Sequence, residues 1–416
     1  MALIASKQII LLLQMKIPEK YRFIIELGKA LHTYGIPSYK IQSYLTEVAS
    51  NKGINASFMD FPTWINYAFY DDDESYNYIE CVPPGSLNLG AFSRVAELSK
   101  KVINSEVDSN EISKELSIIH QKTKRVNHLY SILAYAFAAG GFGLIIGTNW
   151  TSFGFSLLTG SLVYLMVFLT SKSKYIENVF EPLSALFITV ICCLIKQVFP
   201  EFNVVLTILA SIIIFVPGLG ITIALEEITS KNLVSGSAKL FDAIILLFKQ
   251  FFGVLLGLGL MKSLMDVDLA HNIAEIPKWI SFLGIPVLSI TLFPVLQVRK
   301  KDMFFGALTG AISFSIIVLL SGFGILISTF IGTLTVVGAS VLFGKISKTP
   351  KTVYLIQGII ILVPGSKSFM GISNTFLNSP IAGSGNIFEE VAFILMGIIG
   401  GLLFAGTFRE KSSSRD

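Results

Sequence analysis

Residues 216–260 read VPGLGITIALEEITSKNLVSGSAKLFDAIILLFKQFFGVLLGLGL, and residues 363–407 read VPGSKSFMGISNTFLNSPIAGSGNIFEEVAFILMGIIGGLLFAGT. The two stretches align without a gap at an offset of 147. Val216, Pro217 and Gly218 meet Val363, Pro364 and Gly365, and further along Gly236 and Ser237 meet Gly383 and Ser384. Phe241 meets Phe388, Asp242 meets Glu389, and Gly253 and Leu256 meet Gly400 and Leu403. A fainter echo ties Leu158-Thr159-Gly160 to Leu308-Thr309-Gly310. Two Gly-rich apolar helices can look alike by chance. A shared Pro-Gly break followed at the same distance by an acid argues for a true internal repeat instead.

Around these stretches the composition is that of a membrane protein. The 416 residues are 52% hydrophobic and only 14% charged, with a mean hydropathy of +0.69, whereas a soluble chain carries roughly a quarter charged residues. The deficit is uneven: residues 1–128 hold charge at an ordinary density, and from Leu129 onward long apolar runs are broken only by short loops. A bilayer core of about 30 Å needs about 20 apolar residues per helix. Ten stretches meet that need, at 129–147, 153–171, 179–199, 203–225, 240–262, 279–297, 303–321, 323–344, 352–371 and 387–408.

Loop charges orient the spans, because cytoplasmic loops are enriched in Lys and Arg. Lys122, Lys124 and Arg125 precede the first span. The loops after spans 2, 4, 6, 8 and 10 carry Lys172 and Lys174, Lys231 and Lys239, Arg299 to Lys301, Lys345 to Lys351, and Arg409 to Arg415. Loops 148–152 and 321–323 have no Lys or Arg. This alternation predicts ten transmembrane helices with both termini cytoplasmic, in the inner (plasma) membrane of a cell. Each repeat holds five spans, and an odd number reverses direction, so the second repeat would lie upside down relative to the first. Inverted repeats of this kind recur in secondary transporters, although channels and membrane enzymes can share the plan. The expected fold is therefore an all-α polytopic bundle of two inverted five-helix repeats, 126–265 and 276–410, behind a small α+β cytoplasmic domain at 1–125.

In that front domain, residues 17–52 read as two helices joined at Gly35-Ile36-Pro37, with Ser38 as an N-cap. Residues 54–82 read as strands around the acidic turn Asp71 to Glu74, and 87–121 return to helix. The acidic run is best read as a solvated hairpin tip rather than a cation site. Residues 1–14 superficially resemble a secretion signal, but the apolar run is short and no small-x-small site follows cleanly. An amphipathic helix or an upstream start codon accounts for them better.

Several function classes drop out. The net charge of +4 comes from loop residues, which argues against nucleic acid as a partner. Three cysteines give no disulfide framework; packing is the expected role of Cys81, Cys192 and Cys193. The four histidines are scattered, and no HExxH, CxxC, Walker loop, GxSxG or dinucleotide fingerprint is present. The sequence predicts neither an enzyme nor a cofactor or metal site.

What it does offer is a transport pathway. Pro217-Gly218 and Pro364-Gly365 each break an apolar run, since proline removes a backbone donor and clashes with the preceding turn. Broken helices in membranes occur where the freed groups are re-satisfied or line a cavity, and matching breaks in two halves point to a transporter's binding site. Both breaks could equally just end helices at the interface. Asp242 and Glu389, at the heads of spans 5 and 10, fall toward opposite faces and could exchange protons; the plain alternative is an interfacial acid near a helix N-terminus. Lys249 lies deep in span 5, seven residues past Asp242 and on roughly the same face, where pairing with a carboxylate, or with a substrate carboxylate, would relieve its burial cost. Lys367 is expected to be a loop charge and Lys196 a residue snorkelling from a helix end. Small-xxx-small pairs such as Ser156/Gly160, Gly253/Gly257, Gly306/Gly310 and Gly397/Gly401 predict close helix packing.

With these features assembled, the chain resembles the threonine/serine exporter family along essentially its whole length. LGKALHTYGIPSYKIQSYLTEVASNKGI (27–54) is similar to that family's opening helix pair. The 216–242 segment is similar to the end of its first five-helix module, and 363–389 resembles the second, separately encoded in some relatives. The resemblance implies export of threonine and serine from the cytoplasm, driven by the proton gradient. It assigns no role to Asp242, Lys249 or Glu389. A hydrolase-like role has been entertained for the family's front domain, and no nucleophile, base or metal constellation here supports it. A channel, or a membrane-anchored enzyme or sensor acting through the front domain, are the alternatives.

Overall fold

The computed structural model describes residues 18–71, 74–108, 111–123, 127–170, 179–267, 276–363 and 387–413. The chain divides into two compact units, one of residues 1–125 with 232–235, the other of residues 126–231 and 236–416.

The first unit is α+β, with elements where the sequence predicts them, except that Pro37 rather than Ser38 stands at the N-cap of the second helix, which has no side-chain cap bond. Helices α1 (Glu19–Thr33) and α2 (Ser38–Asn51) are joined through Gly35, whose positive φ of 69° suits glycine. Strands β1 (Asn55–Phe61), β2 (Trp64–Asp71) and β3 (Glu74–Cys81) form an antiparallel sheet in that order, with Phe58 opposite Tyr67 and Tyr67 opposite Tyr78. Helices α3 (Leu89–Ile103) and α4 (Ile112–Thr123) complete it. The central strand places Ile65, Tyr67 and Phe69 in the core, the two-residue period of a half-buried strand. The Tyr67 hydroxyl donates to the Ile25 carbonyl at 3.1 Å, so burial, which pushes its acidity down, comes with a hydrogen bond.

His32 and Asp60 are both buried and lie 2.7 Å apart. Burial raises the Glu80 carboxyl, but hydrogen bonds from Lys29 and Tyr78 outweigh it and hold the group below its ordinary range. Burial, followed by that bond to Glu80, pushes the Tyr78 phenol up to about 12. Asp71 in the acidic turn pairs with Lys20. Cys81 is exposed at the end of β3, unlike the packed residue expected, because the alternation of the edge strand turns it outward. Cys192 and Cys193 are buried in an apolar core, as expected.

The second unit is helical: α5 (His128–Ile145), α6 (Trp150–Thr170), α7 (Phe180–Val198), α8 (Val204–Ile212), α9 (Gly218–Thr229), α10 (Leu233–Leu264), α11 (Lys278–Val295), α12 (Lys300–Leu319), α13 (Ile325–Ser347), α14 (Lys351–Leu362) and α15 (Ile387–Ser413). Among the described residues, seven helices are long and apolar enough to cross a membrane, and an eighth crossing results if 204–215 and 220–229, bent by 52°, are one broken span. Shorter apolar helices, Phe282–Val295 and Lys351–Leu362, fall at the expected sixth and ninth positions. This is a multi-pass membrane protein. Length and composition thus reach seven or eight crossings rather than ten. Of the expected ninth span, 352–371, helix α14 covers only the part to Leu362, since Val363 is extended (φ −67°, ψ 134°) ahead of Pro364.

Glycine sets how these helices pack. A Cβ on Gly253 would come within 2.9 Å of the Pro182 backbone, and one on Gly257 within 2.8 Å of Thr189 and 3.1 Å of the Leu186 carbonyl. Likewise, a Cβ on Gly397 would lie 3.0 Å from the Leu326 carbonyl, and one on Gly401 3.1 Å from that of Phe330 and 2.5 Å from Thr333. So α10 lies on α7 through two glycines, and α15 lies on α13 through two more. All five correspondences (Gly253/Gly397, Gly257/Gly401, Pro182/Leu326, Leu186/Phe330, Thr189/Thr333) share a spacing of 144 residues. The gapless alignment instead puts Gly253 opposite Gly400. Three residues of slack therefore separate the Pro-Gly breaks from these packing surfaces.

Two helix starts share a pattern. At the start of α6, Asn149 accepts from the Ser152 N–H at 2.8 Å, while Ser152 Oγ accepts from the Asn203 N–H at 2.8 Å. At the start of α12, Arg299 donates to Asp302 at 2.7 Å, while Thr349 donates to Asp302 at 2.8 Å. In both places the first turn of one helix ties down the loop leading into another, α8 in one case and α14 in the other.

Candidate functional site

The break after α8 is built by its sequence. Residues 213–215 tighten into a 3₁₀ turn, Val216 is extended (φ −61°, ψ 123°) as the residue before a proline must be, and Pro217 caps α9. The Val216 N–H donates to the Ile213 carbonyl at 3.1 Å, and the Ile221 N–H donates to the Pro217 carbonyl at 2.9 Å. The Phe215 carbonyl, at the end of the interrupted ladder, accepts from the side-chain Nε2 of Gln250 on α10 at 2.6 Å. Gln250 is fully buried. Here a side chain satisfies a backbone carbonyl left open where the helix breaks, the condition under which a membrane helix tolerates a break.

The first Val-Pro-Gly segment meets the valine of the second at this point. A Cβ built on Gly218 would lie 3.6 Å from Val363 Cγ1 and 3.9 Å from Val363 Cβ. Val363, Leu362 and Ile359 share one apolar core with Ile221, Leu225 and Ala243. Pro364 and Gly365 lie outside the described residues, as does Lys367, so the second break is seen only up to its valine. A second close approach joins α5 to α11: a Cβ on Gly141 would lie 3.1 Å from the Gly284 carbonyl and 2.9 Å from Val287.

The ionisable residues fall differently from expectation. Helix α10 begins at Leu233, two turns before the predicted 240, so Asp242 lies in its third turn rather than at its head. Asp242 is exposed on the same helix surface as Phe241, Ile245, Phe248 and Phe252, and Glu389 is also exposed. Lys249 is half-buried; its Nζ lies 4.0 Å from the carboxylate of Glu181 on α7, so its carboxylate partner is Glu181 rather than Asp242. Lys196 reaches past its helix end to the Pro200 carbonyl at 2.7 Å, as a snorkelling residue would.

The buried acids are ones that sequence reading passed over. Glu226 and Glu227 look like loop charges after span 4, yet both are buried on α9, and Lys239 Nζ lies 2.5 Å from Glu227 Oε1. The available signal was their place in ITIALEEIT, where the apolar run continues through the pair. Gln250 was missed for a different reason: a lone amide in FKQFF attracts less notice than the lysine beside it.

The comparisons agree with this architecture. Residues 22–261 match the family model described as "Putative threonine/serine exporter", and residues 281–408 match the one described as "Threonine/Serine exporter, ThrE". Curated relatives include proteins named pheromone-regulated membrane protein 10. That of Kluyveromyces lactis is 26% identical over 68% of this chain and 31% of its own length. Those of Eremothecium gossypii and Pichia sorbitophila are 24% and 27% identical over 68% of this chain, and over 39% and 30% of their own lengths. The chain thus spans well under half the length of these relatives. No solved structure matches it. Two consecutive family models, the first covering more than half of the chain, together with a multi-helix unit organised around a Pro-Gly break, show that the chain belongs to the threonine/serine exporter family.

Proposed function

We propose that the chain is a secondary transporter that exports small amino acids, threonine and serine, by alternating access coupled to the proton gradient. In this reading ten spans form two inverted five-helix repeats, with both termini cytoplasmic. The observation that carries it is the approach of the first Val-Pro-Gly segment to the residue that opens the second, Gly218 against Val363. Transporter sites form where broken helices from two repeats meet near the bilayer midplane. The matching glycine surfaces and the matching ties at the starts of α6 and α12 support the repeat. By the loop charges, the neutral tie through Asn149 would face outward and the ionised one through Arg299 and Asp302 inward.

Proton coupling needs a carboxylate whose charge is costly enough to exchange with a proton. Glu226 and Glu227 are buried, Glu227 beside Lys239, and are the acids this reading assigns to coupling. Asp242 and Glu389 would meet it only where lipid or a second subunit covers them. The test is efflux of labelled threonine from loaded proteoliposomes, with and without a pH gradient. We expect an inward-directed proton gradient to accelerate efflux severalfold. Glu227→Gln should abolish that acceleration while leaving threonine counterflow measurable. Full gradient dependence in an Asp242→Asn, Glu389→Gln double variant would remove those two acids from coupling, and efflux indifferent to pH in the unaltered protein would favour a channel.

A further inference from the structure

The break at 213–218 carries one polar atom that its structural role does not use. Gln250 spends its Nε2 on the Phe215 carbonyl. Its Oε1 is buried and, among the described residues, has no hydrogen-bond partner. A buried amide oxygen left unpaired costs free energy comparable to a lost hydrogen bond; apolar leucine or methionine at 250 would avoid that cost but leave the Phe215 carbonyl bare. The amide head is held at the break by the 2.6 Å bond, so its free oxygen lies beside the carbonyl end of the α8 segment. That end carries the negative pole of its helix, and α9, twelve residues long, begins three residues later with the positive pole; the Gly218 N–H donates to Val216 and the Ile221 N–H to Pro217, which leaves the N–H groups of Leu219 and Gly220 as the donors of its first turn. Gly218 and Gly220 put no side chain at their two positions of that turn, and a Cβ at either would meet nothing nearer than 3.6 Å.

We propose that Gln250 reads the α-ammonium group of the transported amino acid. Its Oε1 and the carbonyl end of the 213–215 turn accept from the ammonium, while the first turn of α9 receives the carboxylate. The ligand class is a zwitterion with its two charges on one carbon, and the hydroxyl of threonine or serine is not what Gln250 recognises. This rests on the amino-acid transport reading above and names the atoms that would select its substrate. The same atoms give the selectivity a physical cause: a hydroxy acid or simple carboxylate has no cation to offer Oε1, and an amine without a carboxylate leaves the α9 N–H groups unfilled.

The test uses the full-length protein in proteoliposomes and measures labelled L-threonine counterflow against two unlabelled competitors. One is 3-hydroxybutyrate, which lacks the ammonium, and the other is 1-amino-2-propanol, which lacks the carboxylate. In the unaltered protein we expect competition by L-threonine and neither analogue. Gln250→Leu should raise the KM for threonine about 10- to 100-fold, the loss that follows removal of one hydrogen bond to a charged group, with a smaller change in maximal rate. Gln250→Glu loses the donor to the Phe215 carbonyl as Gln250→Leu does but keeps an acceptor oxygen, and should restore the KM to within about threefold; if neither variant folds, competition by the two analogues in the unaltered protein still decides. If the Leu and Glu variants raise KM equally, or if 3-hydroxybutyrate competes as well as threonine in the unaltered protein, Gln250 does not read the ammonium and the inference fails. If the unaltered protein moves neither threonine nor serine, the transport reading itself fails.

Discussion

Asp302→Ala is expected to be among the most destabilising single substitutions in the membrane unit, by about 3–5 kcal/mol. Asp302 is fully buried at the start of α12. It accepts from Arg299 Nε at 2.7 Å, from the Thr349 hydroxyl at 2.8 Å and from the Tyr354 hydroxyl at 3.2 Å. Arg299 is itself nearly buried and also donates to Thr349 at 3.2 Å. Removing the carboxylate therefore takes from a nearly buried guanidinium the anion it donates to, and that loss is the larger part of the cost. Asp302→Asn keeps the acceptor oxygen for Thr349 and should cost less. Replacing both partners, Arg299→Met with Asp302→Leu, should recover much of the loss, because an apolar pair of similar volume needs no desolvation. Thermal unfolding of the purified protein in detergent measures all three, and a double variant less stable than Asp302→Ala would show that the network does more than neutralise itself.

Gly253→Leu should separate α10 from α7. The added Cβ would sit 2.9 Å from both the Cα and the carbonyl carbon of Pro182, atoms of a backbone that cannot rotate aside. Overpacking of a well-filled contact costs about 1–3 kcal/mol when side chains can yield; here the helix itself must move, and Gly257 one turn on is equally tight against Thr189. We expect loss of a monodisperse species in detergent, with the same result for Gly401→Leu, whose Cβ would meet Thr333. Gly259→Ala is the matched control: nothing lies within 4 Å of its Cβ, and alanine favours the helix. Equal tolerance of Gly253→Leu and Gly259→Ala would contradict the packing described.

Much of this was legible in the sequence because hydropathy and proline act locally. Pro217 breaks a helix wherever it stands, and the apolar runs locate membrane helices without knowledge of their neighbours. The front domain's alternation at Ile65, Tyr67 and Phe69 reads directly as a strand. Burial of ionisable groups is a different matter, since it depends on which helices face one another. Asp242 occupies an equivalent place in the repeat to Glu389, and both turned out exposed, whereas Glu226 and Glu227 looked like loop charges and are buried. The three-residue difference between the 147 and 144 spacings likewise appears only once glycines are seen against their partners. Gln250 illustrates the same limit: no periodicity marks a residue whose function is set by a carbonyl 35 positions away.

The central claim is that the substrate site forms where Gly218 of the first Val-Pro-Gly segment meets Val363, and a single cross-link tests it. The Cβ separation of 3.9 Å at positions 218 and 363 lies within the range a disulfide spans. Gly218→Cys with Val363→Cys, in a chain carrying Cys81→Ser, Cys192→Ala and Cys193→Ala, should oxidise readily, and threonine transport should stop on oxidation and return on reduction. Complete cross-linking with transport undiminished would contradict the account, because a site at this junction could not then open to either side.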